Sequence, residues 1–149
     1  MPNYDFRKDL PIAQETEREV AKILSDKGAE IIEFNNDNKY DIKIKWKGQE
    51  KTVEVKEDFT CQRTGNVGLE FSCRGKDSGI ACSKADFYVY KIHEPGNTIH
   101  IYMMKTADLK KLIENKFYHR IVNGGDPGSN SINYLFFLKY IKQISILLK

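Results

Sequence analysis

Between Tyr40 and Lys56 the chain alternates apolar and polar residues on both sides of a short polar turn, and that period of two constrains the fold more than any other stretch. With Lys47-Gly48 as a two-residue loop, Trp46 pairs with Gln49, Ile42 pairs with Val53, and Asp41 falls opposite Glu54. Successive side chains of a strand take opposite faces. Ile42, Ile44, Trp46, Val53 and Val55 therefore form one apolar face, while Asp41, Lys43, Glu54 and Lys56 share the other. The hydrophobic pattern and the turn specify the same register.

Like charges placed opposite each other on a sheet cost roughly a few tenths of a kcal/mol or more, so Asp41 against Glu54 needs a compensating interaction. A divalent cation would supply it. Hard cations such as Mg²⁺ take carboxylate oxygens, use few protein ligands and leave room for water and substrate phosphate. Lys56, on the same face, would neutralise charge building on a phosphate under attack. The same alternation also suits a plain solvated face, with Lys45 opposite Glu50 as a surface ion pair.

A third acid lies upstream. The spacing predicts a helix over 12–28, ended by Gly28 as a C-cap, with Ala13, Val20, Ala21 and Leu24 along its apolar stripe. Glu17 falls on that stripe, whereas Glu15 and Glu19 are expected to face solvent. A carboxylate on a core-facing stripe needs a cation, a metal shell or a hydrogen-bond network. Acids are also favoured near a helix N-terminus for their own sake.

A helix with an inward Glu17, a strand with Asp41 and a strand with Glu54-Val55-Lys56 together resemble the PD-(D/E)XK nuclease superfamily, which contains many restriction enzymes, Holliday junction resolvases and phage nucleases. The resemblance covers roughly the first sixty residues and extends more loosely through 65–71 and 79–90. It implies a restriction-endonuclease-like α/β fold, a mixed central β-sheet flanked by helices. It further implies that Asp41, Glu54 and the backbone carbonyl of Val55 bind Mg²⁺ or Mn²⁺, that Lys56 positions or activates the attacking water, and that Glu17 helps to hold the metal or its water. Tyr40 stands where the signature's name has proline, a departure many members share. Among the helical acids, periodicity favours Glu17, with Glu15 second.

Composition is compatible with this reading. A chain of 149 residues with 40% hydrophobic side chains is expected to be one domain with a sizeable core. It has no apolar run long enough to span a bilayer and no signal-peptide pattern at its start, so a cytoplasmic location is the expectation. Cys61, Cys73 and Cys82 lack the paired spacing of a zinc site and are expected as reduced, half-buried thiols. His93, His100 and His119 form no recognisable metal or nucleophile constellation.

The net charge of +3 is too small to announce a polyanion partner, but the cations are unevenly spread. Lys39, Lys43, Lys45, Lys47 and Lys51 cluster about the hairpin, and Arg63, Arg74, Lys76 and Lys84 follow it. Contacts from Lys43, Arg74, Lys76 and Lys84 to a DNA backbone would give salt-dependent affinity.

Further along, Leu69, Phe71 and Cys73 alternate as a strand whose other face carries Glu70, either an additional metal ligand or an exposed strand residue. A basic loop over 74–79 leads into a short helix over 80–85. Ser83-Lys84-Ala85-Asp86 resembles the step that precedes the next strand in the same superfamily, with Asp86 ordering a strand over 87–92. That strand is a candidate parallel neighbour of the hairpin. A strand over 98–104, a helix over 106–116, a turn-rich loop over 123–130 and a last strand or buried segment over 134–138 complete the chain. The functional expectation is a Mg²⁺- or Mn²⁺-dependent endonuclease acting on DNA, structure-selective or resolvase-like, and a homodimer if it cuts both strands. The alternatives are a nucleic-acid-binding or interaction module of the same fold without chemistry, or an RNase with the same metal chemistry.

Overall fold

The computed structural model describes residues 15–35, 40–124 and 130–149. Helix α1 (Glu15–Asp26) buries Val20, Ala21 and Leu24. It stops as its sequence dictates. Gly28 turns left-handed at φ +107°, its N–H reaches the Ser25 carbonyl at 3.0 Å, and the Ala29 N–H reaches that of Leu24 at 3.0 Å. This is the double hydrogen bond of a Schellman cap. Residues 12–14 of the expected helix lie outside the described residues.

Strands β1 (Glu30–Phe34), β2 (Ile42–Trp46) and β3 (Gln49–Asp58) follow as an antiparallel meander. The β2–β3 loop has Lys47 at φ 50° and Gly48 at φ 81°, the paired positive dihedrals of a twist-compatible hairpin turn. Trp46 pairs with Gln49 and Ile42 with Val53, the register expected from the alternation. A short helix α2 (Cys61–Thr64) leads to β4 (Asn66–Cys73), β5 (Lys76–Asp77) and a 3₁₀ turn at Gly79–Ala81. Strand β6 (Phe87–Glu94) then lies parallel to β3, with Glu54 beside Tyr88 and Lys56 beside Tyr90. Next come β7 (Thr98–Lys105), α3 (Thr106–Glu114), β8 (Arg120–Gly124), β9 (Ser131–Phe137), α4 (Leu138–Gln143) and β10 (Ser145–Leu147).

The molecule is an α/β structure with a mixed six-stranded sheet in the order β1-β2-β3-β6-β7-β10, in which only β3 and β6 are parallel. Alternation along the strands sorts its two faces. Ile42, Ile44, Val53, Val55, Val89 and Ile101 pack beneath α1. On the other face Tyr88, Tyr90, Ile92, Tyr102 and Met104 pack against Leu69, Phe136, α3 and α4. These two cores hold the sheet between layers.

The second layer is a sheet of its own. The strand carrying Leu69 belongs to a separate antiparallel sheet, β5-β4-β9-β8, and does not extend the central one. Asn123 and Gly124, expected in a loop over 123–130, close β8 instead; β9 begins just beyond that stretch at Ser131, and residues 125–129 lie outside the described residues. Trp46 also differs from the expected apolar face. It is 38% exposed, because β2 ends there against a hollow shared with Leu24, Met103 and Ile146. Among the described residues no helix is long and apolar enough to cross a membrane.

Candidate active site

Glu17, Asp41, Glu54 and Lys56 meet at one end of the β2–β3 pair, brought there by three elements. The β2 ladder stops at Ile42, and Asp41 lies in the bend before it. Its N–H reaches the Val53 carbonyl at 3.0 Å, while its Oδ2 accepts the Val55 N–H at 2.7 Å. A side chain thus replaces the missing ladder partner of β3. Asp41 and Glu54 were expected as a directly opposed backbone pair. The strand bends away one residue early, and the two meet instead through their carboxyl groups.

Glu17 enters from the first turns of α1 and lies beside Asp41 and Glu54, close enough for both charges to act on it. Lys56, two residues along β3 from Glu54 and on the same face, places its Nζ 3.1 Å from Glu54 Oε2. Three acids then share one ammonium. Burial, followed by the charges of Asp41 and Glu54, pushes Glu17 up to about 7, against the opposing pull of Lys56. Burial likewise raises Asp41, opposed by the Val55 amide and Lys56, and raises Glu54, opposed by Lys56 and reinforced by Asp41. The cause is common to all three: carboxyls drawn out of water beside one another cannot all ionise cheaply. Their titrations belong to the group more than to any single member. Among the described residues no three His, Cys, Asp or Glu side chains stand as a ready metal cage. The three carboxyls instead lie beside one another and beside the Lys56 ammonium.

The other acids of the first helix separate from this group. Glu15 is exposed. Glu19, expected to face solvent, is half-buried and salt-bridged to Lys91 at 2.7 Å and Lys149 at 3.7 Å, because the expected stripe took no account of cations arriving from β6 and the chain end. Glu70 does not join the group either. Its two carboxylate oxygens accept Ser78 Oγ at 3.0 Å and Ser131 Oγ at 2.5 Å, tying β4 to the 3₁₀ turn and β9.

The basic residues are dispersed. Lys43 lies 3.8 Å from Glu33, 4.0 Å from Glu50 and over the Tyr40 ring, so Lys43 takes the contact with Glu50 expected of Lys45. Arg74 lies in the turn between β4 and β5, Lys76 opens β5, and Lys84 is exposed after the 3₁₀ turn. Lys39 lies outside the described residues. Asp86 accepts the Thr52 N–H at 2.9 Å and so fixes the start of β6 against β3.

A second set of side chains beside the site escaped sequence reasoning. Glu57 accepts Thr16 Oγ1 at 2.5 Å and pairs with His93 Nε2 at 2.7 Å, and Phe59 stacks on the His93 ring with centroids 4.4 Å apart. Burial opposes ionisation of Glu57, but the Thr16 hydroxyl and the His93 imidazole hold it below the usual carboxylate range. The available signal was an acid continuing the apolar alternation of Val53 and Val55, toward the face that α1 covers. The buried Asp58 caps the next turn, with Oδ1 accepting the N–H groups of Thr60 at 2.9 Å and Cys61 at 2.8 Å. The three cysteines are free thiols, of which Cys61 is buried and Cys82 exposed.

No family model matches this sequence, and neither a curated protein nor a solved structure matches the chain.

Proposed function

We propose that this protein is a Mg²⁺- or Mn²⁺-dependent endodeoxyribonuclease. The observation that supports this reading most is the gathering of Glu17, Asp41 and Glu54 beside Lys56 at one end of the β2–β3 pair. When all three acids ionise, one ammonium leaves two negative charges in excess, the charge of one divalent ion. Three carboxyls all raised beside one another fit a functional site better than a plain sheet surface, and the donor set is the hard oxygen type such ions prefer. Asp41, Glu54, Glu17 and the Val55 carbonyl would hold the ion. When bound, a divalent cation supplies charge for the phosphate oxygens and acidity for the attacking water.

The remaining roles fall to the chain itself. Val55 fixes the Asp41 carboxylate, so that group is oriented before substrate arrives. Glu54 holds the Lys56 ammonium where charge accumulates on a phosphate under attack. Glu17, brought from α1 to the side of Asp41 and Glu54, would complete the carboxylate set that holds the ion or its water.

The test is cleavage of labelled duplex, single-stranded and four-way-junction DNA, with RNA alongside, in Mg²⁺ or Mn²⁺. Metal-dependent cutting of DNA that Glu54→Gln abolishes supports the reading. Cutting of RNA alone makes the protein a ribonuclease, and binding without cutting of any substrate leaves a non-catalytic module.

A further inference from the structure

Beside Lys56 the two sheets part to leave a cleft of about 630 Å³ that the proposed chemistry does not use. It runs from Lys56 past Phe59 and Arg63 to Asn123 and Asn133 on the second sheet. The volume lies in the range of small-ligand sites and not of a packing defect. Its acids are already committed. Glu57 is taken by Thr16 and His93, Asp58 by the turn amides, and Glu70 by Ser78 and Ser131. What the cleft offers an incoming group is the Arg63 guanidinium, the Lys56 ammonium that Glu54 also holds, the Asn133 carbonyl oxygen and the exposed ring of Phe59.

The ring is the unusual element. Phe59 is 63% exposed, yet one of its faces is covered by His93, which Glu57 in turn holds. Asp58 accepts the N–H groups of Thr60 and Cys61, the two residues after Phe59, so the ring sits on a braced turn and not on a loose loop. An exposed, braced phenyl ring three residues from the phosphate-side lysine is the arrangement on which an unstacked base lies down. Asn133 on β9, whose Nδ2 donates to Ser131 Oγ at 3.3 Å, has its carbonyl oxygen left to accept from a base edge, whereas Asn123 pairs with Ile132 and its side chain takes the other face of that sheet. Lys56 and Arg63 are the cations that line the cleft.

We infer that this cleft receives a nucleobase unstacked next to the scissile phosphate, so that the preferred substrate is DNA with single-stranded or unpaired nucleotides and not continuous duplex. A paired, stacked base cannot enter such a cleft without being extruded, and that cost is least where the base is already unpaired. The inference rests on the nuclease reading for the phrase "scissile phosphate", but the base site is testable without any cleavage.

The experiment places 2-aminopurine in a single-stranded oligonucleotide and in a duplex of the same length, with Ca²⁺ in place of Mg²⁺. Wild type is compared with Phe59→Ala, Phe59→Trp and Glu54→Gln. Expected is tighter binding of the single strand than of the duplex, a further loss of about tenfold or more on the single strand in Phe59→Ala, and recovery in Phe59→Trp. Glu54→Gln should retain the Phe59-dependent binding while losing cleavage in Mg²⁺. Equal affinity of wild type and Phe59→Ala for the single strand overturns the inference, as does a preference for duplex. Phe59-dependent binding with no cleavage by wild type overturns the nuclease reading instead and leaves the base site standing.

Discussion

The backbone N–H of Val55 donates to Oδ2 of Asp41 at 2.7 Å, so the strand that carries Glu54 and Lys56 is held to this acid by its side chain one step beyond the last backbone bond, from the Asp41 N–H to the Val53 carbonyl at 3.0 Å. One carboxylate has two duties there, structural and chemical, and two substitutions separate them. Asp41→Ala strips the part-buried Val55 amide of its acceptor and should lower stability by about 1–3 kcal/mol. Asp41→Asn keeps an acceptor oxygen and should stay near wild-type stability. Both should lose metal-dependent cleavage by at least about a hundredfold. Urea unfolding alongside cleavage rates checks this, and a stable, fully active Asp41→Asn would remove Asp41 from the chemistry.

Glu17 makes the stability of the metal-free protein depend on pH in a stated direction. Its pKa is raised from 4.5 to about 7, so between these values the folded chain holds a proton that the unfolded chain has released. Stability is therefore full below the lower value and falls as pH rises through the upper one. Asp41 and Glu54, also raised, act in the same direction. In EDTA the melting temperature should drop across this window, and Glu17→Gln should flatten the drop and melt higher than wild type at alkaline pH. Added Mg²⁺ should reverse the loss and release protons, because a bound ion favours the ionised carboxyls. Melting curves and calorimetry in buffers of different ionisation enthalpy read both effects. A melting temperature that rises through the same window would refute the assignment.

How much of this was legible follows from the range of each interaction. The β2–β3 register could be read because a period of two and a Lys47-Gly48 turn act within a few residues of each other, and the end of α1 because Gly28 acts locally. The pairing of Asn66–Cys73 with Ser131–Phe137 joins segments far apart in sequence, and alternation identifies a strand without naming its sheet. The same limit applies at the site. Glu17, Asp41, Glu54 and Lys56 announced themselves through charge in an apolar or opposed setting. Thr16 and Glu57 are 41 residues apart, and His93 lies 36 beyond Glu57, so nothing local links them.

Thr16 sits beside Glu17 on α1, and its hydroxyl is held by Glu57 on β3, which makes it a positioning residue for Glu17. Thr16→Val keeps the shape and removes the hydrogen bond. Cleavage should fall by about tenfold, mostly in kcat, and the pH midpoint assigned to Glu17 should shift. Thr16→Ser should restore both. A purely structural role would lower stability without moving that midpoint, so pH profiles of the two variants decide.

Gly79 tests the wall of the cleft independently of any chemistry. It adopts φ +51°, and a Cβ there would lie 2.1 Å from the Glu70 carbonyl oxygen. Backbone cannot yield as the end of a flexible side chain can, so Gly79→Ala must push the 3₁₀ turn away from β4. Left-handed strain and overpacking together put the cost at about 2–4 kcal/mol. The displaced turn carries Ser78, whose hydroxyl holds Glu70 at 3.0 Å, and Ile80, which lines the cleft. Gly79→Ala should therefore weaken single-strand binding more than it weakens Mg²⁺ binding to Asp41 and Glu54, which stand on the other sheet. Denaturation, oligonucleotide titration and Mg²⁺ titration of the one variant separate these effects, and an unchanged unfolding midpoint would contradict the close approach of the turn to β4.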